Sequence, residues 1–167
     1  MTGHCFRCGA PLPSAPPCSC TACGYEVYLN PKPTASIVIL DGDRFLALRR
    51  ARKPGVGLWD LPGGFCEAWE HPTDAAIREA REELGVLVRL DRYLGMFLGA
   101  YEYQGELLPV LDCFWTASIV DGELLVDPEE ASEHAWMPLN DPPPMAFTTH
   151  QHALRTALDG SDTAART

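Results

Sequence analysis

Long apolar runs are missing from this chain of 167 residues. No stretch approaches the roughly 18 consecutive apolar residues that suggest a membrane-spanning helix, so the sequence predicts no membrane segment. The opening residues, Met1 to Cys5, include neither a basic region nor an apolar one, so no secretory signal is expected. The predicted compartment is therefore the cytoplasm, where cysteines are usually free thiols or metal ligands.

Positive charge is also scarce in this sequence. Thirteen Lys and Arg residues stand against 23 Asp and Glu residues, which gives a formal net charge of −10. A surface of that sign repels the phosphate backbone of DNA and RNA, so no nucleic-acid polymer is expected as a partner. A small phosphorylated ligand is still compatible with this charge, provided that a cation lies between it and the acidic groups.

Cysteines are concentrated near the amino end, where the first 33 residues hold five of the seven. Two Cys-x2-Cys-Gly units comprise Cys5, Cys8, Cys20 and Cys23. Four thiolates at such a spacing suit a tetrahedral Zn²⁺ ion, and the segment resembles a zinc ribbon over residues 1–30. Cys18 could compete with Cys20, but the symmetry of the two units favours Cys20. A redox dithiol and ordinary buried thiols are the alternatives.

The chain beyond a boundary at Asn30–Pro33 has the pattern of one α/β domain, residues 34–158. The expected strands are 34–40, 44–49, 86–98, 99–103 and 107–119, with short ones at 124–126 and 134–137. The expected helices are 72–84, between Pro72 and Gly85, and a second from Thr148 to about Leu158. This order predicts an α/β sandwich on a mixed sheet, followed by a disordered tail at 159–167.

The first of these helices carries an acidic face. Glu79, Glu82 and Glu83 are spaced i, i+3 and i+4, so their carboxylates lie on one side. Three convergent carboxylates suit a hard divalent cation such as Mg²⁺, and the Gly63-Gly64 turn would allow a backbone carbonyl to approach the same ion. The alternative is a solvated helix face with ordinary charge pairs such as Arg78–Glu82.

The neighbourhood of that helix resembles the Nudix box, G-x5-E-x7-R-E-U-x-E-E-x-G-U, where U is a bulky aliphatic residue. The matching residues are Gly64, Glu70, Arg78, Glu79, Ala80, Glu82, Glu83, Gly85 and Val86. Ala80 is smaller than the usual aliphatic residue, and His71 stands where a Ser, Thr or Asp cap is usual. The resemblance implies a Nudix α/β/α sandwich and metal-dependent hydrolysis of a nucleoside diphosphate linked to another moiety.

The resemblance also implies roles for individual residues. The ligands of Mg²⁺ or Mn²⁺ would be the Gly63 carbonyl, Glu79, Glu82 and Glu83. Glu70 and Arg78 would pair and orient them, so the residues assigned to catalysis are Glu70, Arg78, Glu82 and Glu83. The general base stays open among Glu82, Glu83, Glu129, Glu130 and Glu133.

Contacts to the substrate are predicted from charge and aromatic character. Arg49 and Arg50 belong to the basic cluster just before the box, where a cation would face phosphate. Trp59, Tyr101 and Tyr103 could stack on a base, and Tyr103 falls where some dinucleoside polyphosphate hydrolases carry a tyrosine. Glu133, the last of the late-loop acids Glu129, Glu130 and Glu133, is also a predicted substrate contact. Basic surface residues and core aromatics are the alternative interpretations.

One sequence motif of similar enzymes is absent from this chain, and its absence narrows the substrate class. A zinc ribbon before a Nudix domain is similar to the layout of NADH pyrophosphatases, but their S-Q-P-W-P-F-P-x-S array is absent here. ADP-ribose or NDP-sugar substrates are therefore favoured over NAD(H), nucleoside triphosphates and dinucleoside polyphosphates. A non-enzymatic nucleotide sensor is the alternative of another class, and the oligomeric state stays open between a monomer and a homodimer.

Overall fold

The structure is a computed structural model that describes residues 3–164. The chain divides into two compact units, residues 1–31 and 32–167, and this division falls inside the boundary segment expected from the sequence. Across the residues described, no helix is long and apolar enough to cross a membrane.

The small unit is built on two short antiparallel strands, β1 (Cys18–Ser19) and β2 (Glu26–Val27). Its buried residues are Cys5, Leu12, Cys20 and Val27. So few apolar side chains cannot stabilise a fold of this size, which is why such units depend on a metal or a disulfide.

Within residues 32–164, which the structure describes, the large unit has seven strands and two helices. The strands are β3 (Lys32–Asp41), β4 (Arg44–Arg50), β5 (Trp59–Asp60), β6 (Gly63–Phe65), β7 (Leu87–Tyr103), β8 (Glu106–Asp121) and β9 (Ala131–Pro138), and the helices are α1 (Pro72–Leu84) and α2 (Thr148–Ala164). The strand order is β5-β4-β3-β8-β7, with β6 paired to β3 and β9 paired to β4. Strands β3 and β8 run parallel while the other pairs are antiparallel, which confirms the mixed sheet.

The two helices cover opposite faces of this sheet. Successive side chains of a strand point to opposite faces, and in β3 the buried Ile37 and Ile39 pack in the cluster that contains the apolar side of α1. Val38, between them, packs in the cluster that contains α2. The result is the predicted α/β/α sandwich.

Helix α1 begins and ends where the sequence predicts. Pro72 occupies the first turn, and the Nδ1 atom of His71 accepts a hydrogen bond from the Thr73 amide, so an imidazole replaces the usual hydroxyl or carboxylate cap. At the other end Gly85 has a φ of 70°, and its N–H bonds the Arg81 carbonyl. A left-handed residue of this kind is a common helix terminator, and glycine adopts it without steric cost.

Three sequence expectations about secondary structure are wrong. The segments 86–98 and 99–103, expected as two strands, form the single strand β7 (Leu87–Tyr103). Helix α2 continues to Ala164, so residues 159–164 are helical and do not belong to a disordered tail; residues 165–167 lie outside the described part of the chain. The segment 124–126 is not a strand. The amides of Leu125 and Asp127 instead donate to the Leu84 and Glu83 carbonyls, which satisfies carbonyls that the end of α1 leaves free.

Candidate active site

The four predicted cysteines form one cluster in the small unit. Each pair lies on a tight loop closed by a backbone bond, from Gly9 to Cys5 and from Gly24 to Cys20. The four Sγ atoms lie within 4.8 Å of one another, and among the described residues no other set of three or more His, Cys, Asp or Glu side chains meets this criterion. Cys18 bonds the Ser14 carbonyl instead. The chemistry of the cluster fits a tetrahedral Zn²⁺ ion.

We expect one zinc per chain at this cluster. Replacing Cys5→Ser together with Cys8→Ser should remove the zinc, because a neutral hydroxyl is a much poorer Zn²⁺ ligand than a thiolate. Elemental analysis of protein purified without added metal would measure this, and Cys18→Ser is the matched control that should keep the ion. A double variant that still holds stoichiometric zinc would contradict the ligand set.

Two adjacent glycines bring β6 against the acidic face of α1. A Cβ atom added at Gly64 would lie 2.5 Å from Oε1 of Glu79, and one added at Gly63 would overlap the Ala35 carbonyl on β3. The Gly63 amide donates to Oε2 of Glu83 at 3.0 Å. Only glycine permits this close approach, so the Gly63-Gly64 pair sets the position of the acids relative to the sheet.

Arg78 organises the acids by bonding several of them. Its guanidinium contacts both oxygens of Glu70, at 2.8 and 3.0 Å, and one oxygen each of Glu79 and Glu82 at 2.8 Å. A further bond reaches the Phe65 carbonyl at 3.1 Å. The hydrogen bonds from Arg78 lower the pKa of Glu70 to about 2, so Glu70 is ionised and the loop before α1 is tied to the helix.

Glu79 and Glu83 are in an environment that disfavours their charge. Burial raises the pKa of Glu79 and raises that of Glu83 well above the usual range, and neighbouring carboxylates, including Glu130, add to both shifts. The bonds from Arg78 and Gly63 act in the opposite direction without cancelling the rise. A cation among these carboxylates would relieve the repulsion, so the donor set fits a hard divalent ion.

These residues line a cavity of about 380 Å³. Of the residues predicted from the sequence, the cavity wall includes Arg50, Gly63, Arg78, Glu79, Glu83 and Glu130. The wall also contains Tyr101 and Phe147, whose rings stack with centroids 5.7 Å apart, and the Arg50 guanidinium lies 5.1 Å from the Phe147 centroid. The cavity therefore brings together acidic groups and a cation that lies over an aromatic ring.

Other predicted residues lie outside the cavity wall. Glu82 is exposed and bonded to Arg78, Arg49 pairs with Glu133 on the outer face of β4 and β9, and Tyr103 is exposed at the β7–β8 hairpin. Arg49 and Arg50 separate because consecutive strand residues point to opposite sides. The structure therefore gives Arg49, Tyr103 and Glu133 no contact with the cavity in which Arg50 lies.

A buried ionic network at the cavity was missed by the sequence analysis. His150 of α2 lies 2.8 Å from Oδ1 of Asp60 and 3.5 Å from Oδ2 of Asp112, and Asp60 also pairs with Arg50. Asp112 accepts hydrogen bonds from Ser36 and Thr149. The available signal was Asp112 within the otherwise apolar run from Leu107 to Trp115 of β8, whereas Asp60 had no comparable signal.

The charge state of this network follows from its partners. Burial alone would lower the pKa of His150, but the charges of Asp60 and Asp112 and their hydrogen bonds raise it to about 9. Burial would raise the pKa of Asp60, yet His150 and Arg50 lower it. Two cations therefore balance two carboxylates, and Arg50 is held rigidly at the cavity wall.

Comparisons with known proteins agree with this geometry. A family model described as the NUDIX domain matches residues 30–157. A curated ADP-ribose pyrophosphatase of Methanocaldococcus jannaschii is 28% identical over 124 residues, which are 74% of this chain and 71% of that protein. An NAD-capped RNA hydrolase NudC of Pseudomonas putida KT2440 is 26% identical over 144 residues, covering 84% of this chain and 50% of the relative. The chain thus spans about half the length of that relative.

The fold is also similar to the folds of solved structures. A NUDIX hydrolase from Nitrosomonas europaea superposes with a TM-score of 0.72 at 23% identity, over 92% of this chain and 89% of that one. The family match covers the sheet, the acidic helix and the cavity described above. The chain therefore belongs to the Nudix family of hydrolases.

Proposed function

We propose that the large unit hydrolyses the diphosphate bond of a nucleoside diphosphate linked to another moiety, with ADP-ribose or an NDP-sugar as the favoured substrates. The observation that carries this proposal is the cavity, whose wall includes the acids Glu79 and Glu83 together with the cation Arg50. Such a site can hold a cation and an anion together. The name of the archaeal relative, ADP-ribose pyrophosphatase, supports the substrate class.

The proposed metal ligands are Glu79, Glu82, Glu83 and the Gly63 carbonyl. A bound Mg²⁺ or Mn²⁺ ion would neutralise diphosphate charge and lower the pKa of a coordinated water. Arg78, through its bonds to Glu70, Glu79 and Glu82, would hold the ligands in place while substrate binds. Zn²⁺ in the small unit would be structural, because four thiolates leave no open coordination position.

Residues of the chain itself would bind the substrate and move the proton. Arg50, fixed by Asp60, would contact a phosphate oxygen with an N–H donor. The general base stays open among the box acids Glu82 and Glu83 and the late acids. Of the late acids, Glu130 is favoured because it lines the cavity, whereas Glu129 and Glu133 are exposed away from it.

A nucleotide panel with and without divalent metal tests the function. ADP-ribose, an NDP-sugar, NADH, a nucleoside triphosphate and a dinucleoside polyphosphate should be compared by the phosphate products they release. We expect turnover with Mg²⁺ or Mn²⁺ and none in EDTA, because the acidic face would repel an unneutralised diphosphate. The large unit should stay folded in EDTA, because its two hydrophobic clusters do not depend on the ion.

Two other results would redirect the proposal. NADH hydrolysis ahead of ADP-ribose would favour the NAD(H) alternative, which the name of the NudC relative supports. Nucleotide binding with no product from any compound would favour the sensor, and activity that persists in metal-free buffer would contradict the mechanism. The cytoplasmic location and the oligomeric state stay predictions to be tested in cells and by solution mass measurement.

A further inference from the structure

Trp69 has an unusual backbone and no packing role. Its φ is 69°, and Gln104 is the only other non-glycine residue with a positive φ among those described. The side chain is fully exposed to solvent. A bulky residue in the left-handed region is sterically unfavourable, and burial in the protein does not offset that cost here.

The backbone conformation of Trp69 is imposed by a tight turn. The Glu70 amide bonds the Glu67 carbonyl at 3.2 Å, which closes a four-residue turn with Trp69 in its third position. The positive φ makes this a type II turn, whose third position favours glycine. The Glu67 amide also donates to the Glu70 carboxylate at 2.8 Å, and Glu70 is bound to Arg78. The turn is thus held by other residues, and the indole is not needed to form it.

The turn lies at the rim of the active-site cavity. Glu67, its first residue, lines the cavity, and the ends of such a turn are less than about 7 Å apart. The aromatic rings that line the cavity already contact one another or a cation. Phe147 stacks on Tyr101, and Phe65 packs edge-on against Tyr101. The Arg50 guanidinium lies over the Phe147 ring. Trp69, two residues along the chain from the lining residue Glu67, is therefore an exposed aromatic residue close to the cavity.

We propose that Trp69 is a substrate-binding residue that stacks on the nucleobase of the substrate beside the cavity. The inference rests on the proposed function, in which the diphosphate is bound by the ion that the glutamates would hold and by Arg50. Every nucleotide in the proposed substrate class carries one planar base, and an exposed indole binds such a ring by stacking. The base would lie outside the cavity, and the other moiety would occupy the cavity beyond the diphosphate.

Trp69→Gly tests this proposal because it should change binding and stability in opposite directions. Loss of one base–aromatic stack should raise the KM for ADP-ribose roughly five- to hundredfold, with kcat unchanged because the acids and Arg78 are intact. Inorganic pyrophosphate, which has no ring, should inhibit the variant and the wild type equally. The melting temperature should rise by about a few degrees, because glycine fits the turn without strain. Trp69→Phe should keep most of the affinity.

Gln104→Gly is the matched control, since it relieves the same kind of backbone strain at a hairpin far along the chain from the box. It should raise the melting temperature without changing KM. If Trp69→Gly leaves the KM of an active wild-type enzyme unchanged, or lowers the melting temperature by several degrees, the stacking role is wrong while the proposed function stands. A wild type that hydrolyses none of the panel would overturn the proposed function itself.

Discussion

Glu83→Gln should lower kcat by orders of magnitude while the protein stays folded, and Glu82→Gln should do the same. A neutral amide has the shape of the carboxylate but is a poor ligand for Mg²⁺. At position 83 the amide oxygen can still accept the hydrogen bond that the Gly63 N–H now gives to Oε2. Steady-state kinetics at saturating Mg²⁺, with thermal unfolding of the same samples, would measure both effects.

Thermal unfolding of the same variants distinguishes a loss of catalysis from a loss of the folded structure. Burial and neighbouring carboxylates raise the pKa of Glu83, so its removal as an acid should not destabilise the metal-free protein. Glu106→Gln, which changes an exposed acid at the start of β8, is the matched control and should keep full turnover. Near-wild-type turnover in both Glu82→Gln and Glu83→Gln would show that the metal assignment is wrong.

The second large effect is expected on stability, from His150→Leu. The substitution would leave the buried Asp60 and Asp112 without the imidazolium that both contact. Removing one partner of a buried ionic group costs about 3–5 kcal/mol, a large part of the roughly 5–15 kcal/mol that stabilises a typical domain. Urea unfolding would measure the loss, and His152→Leu, an exposed histidine of the same helix, should cost far less.

The pH dependence of unfolding provides an independent check on the same network. The fold raises the pKa of His150 from 6.5 to about 9, so folding favours its charged form. Its contribution to the free energy of unfolding, on the order of 3 kcal/mol for such a shift, is complete below pH 6.5 and is lost as the pH rises through about 9. The difference between wild type and His150→Leu should shrink over that window, and a constant difference would contradict an ionised His150.

Much of the candidate site could be predicted from the sequence because its determinants are local. The acids of α1 share one face through the helical repeat, and Pro72 and Gly85 mark the ends of the helix by short-range backbone rules. The four cysteines lie on two loops of the same short pattern, so their convergence needed no knowledge of the sheet. These features depend on residues within one helix or within two short loops of a small unit.

The other half of the cavity depends on strand pairing between distant segments. Asp60, Asp112 and His150 come from β5, β8 and α2, and no spacing rule connects them. The assignment of Arg50 to the cavity and Arg49 to the outer face required the registers of β4 with β5 and β9, because a shift of one residue reverses every side chain. The sequence by itself therefore determined which acids share a helix face and which thiols share a cluster, whereas the tertiary structure decided that Arg50 and the buried His150 join those acids in the wall of one cavity.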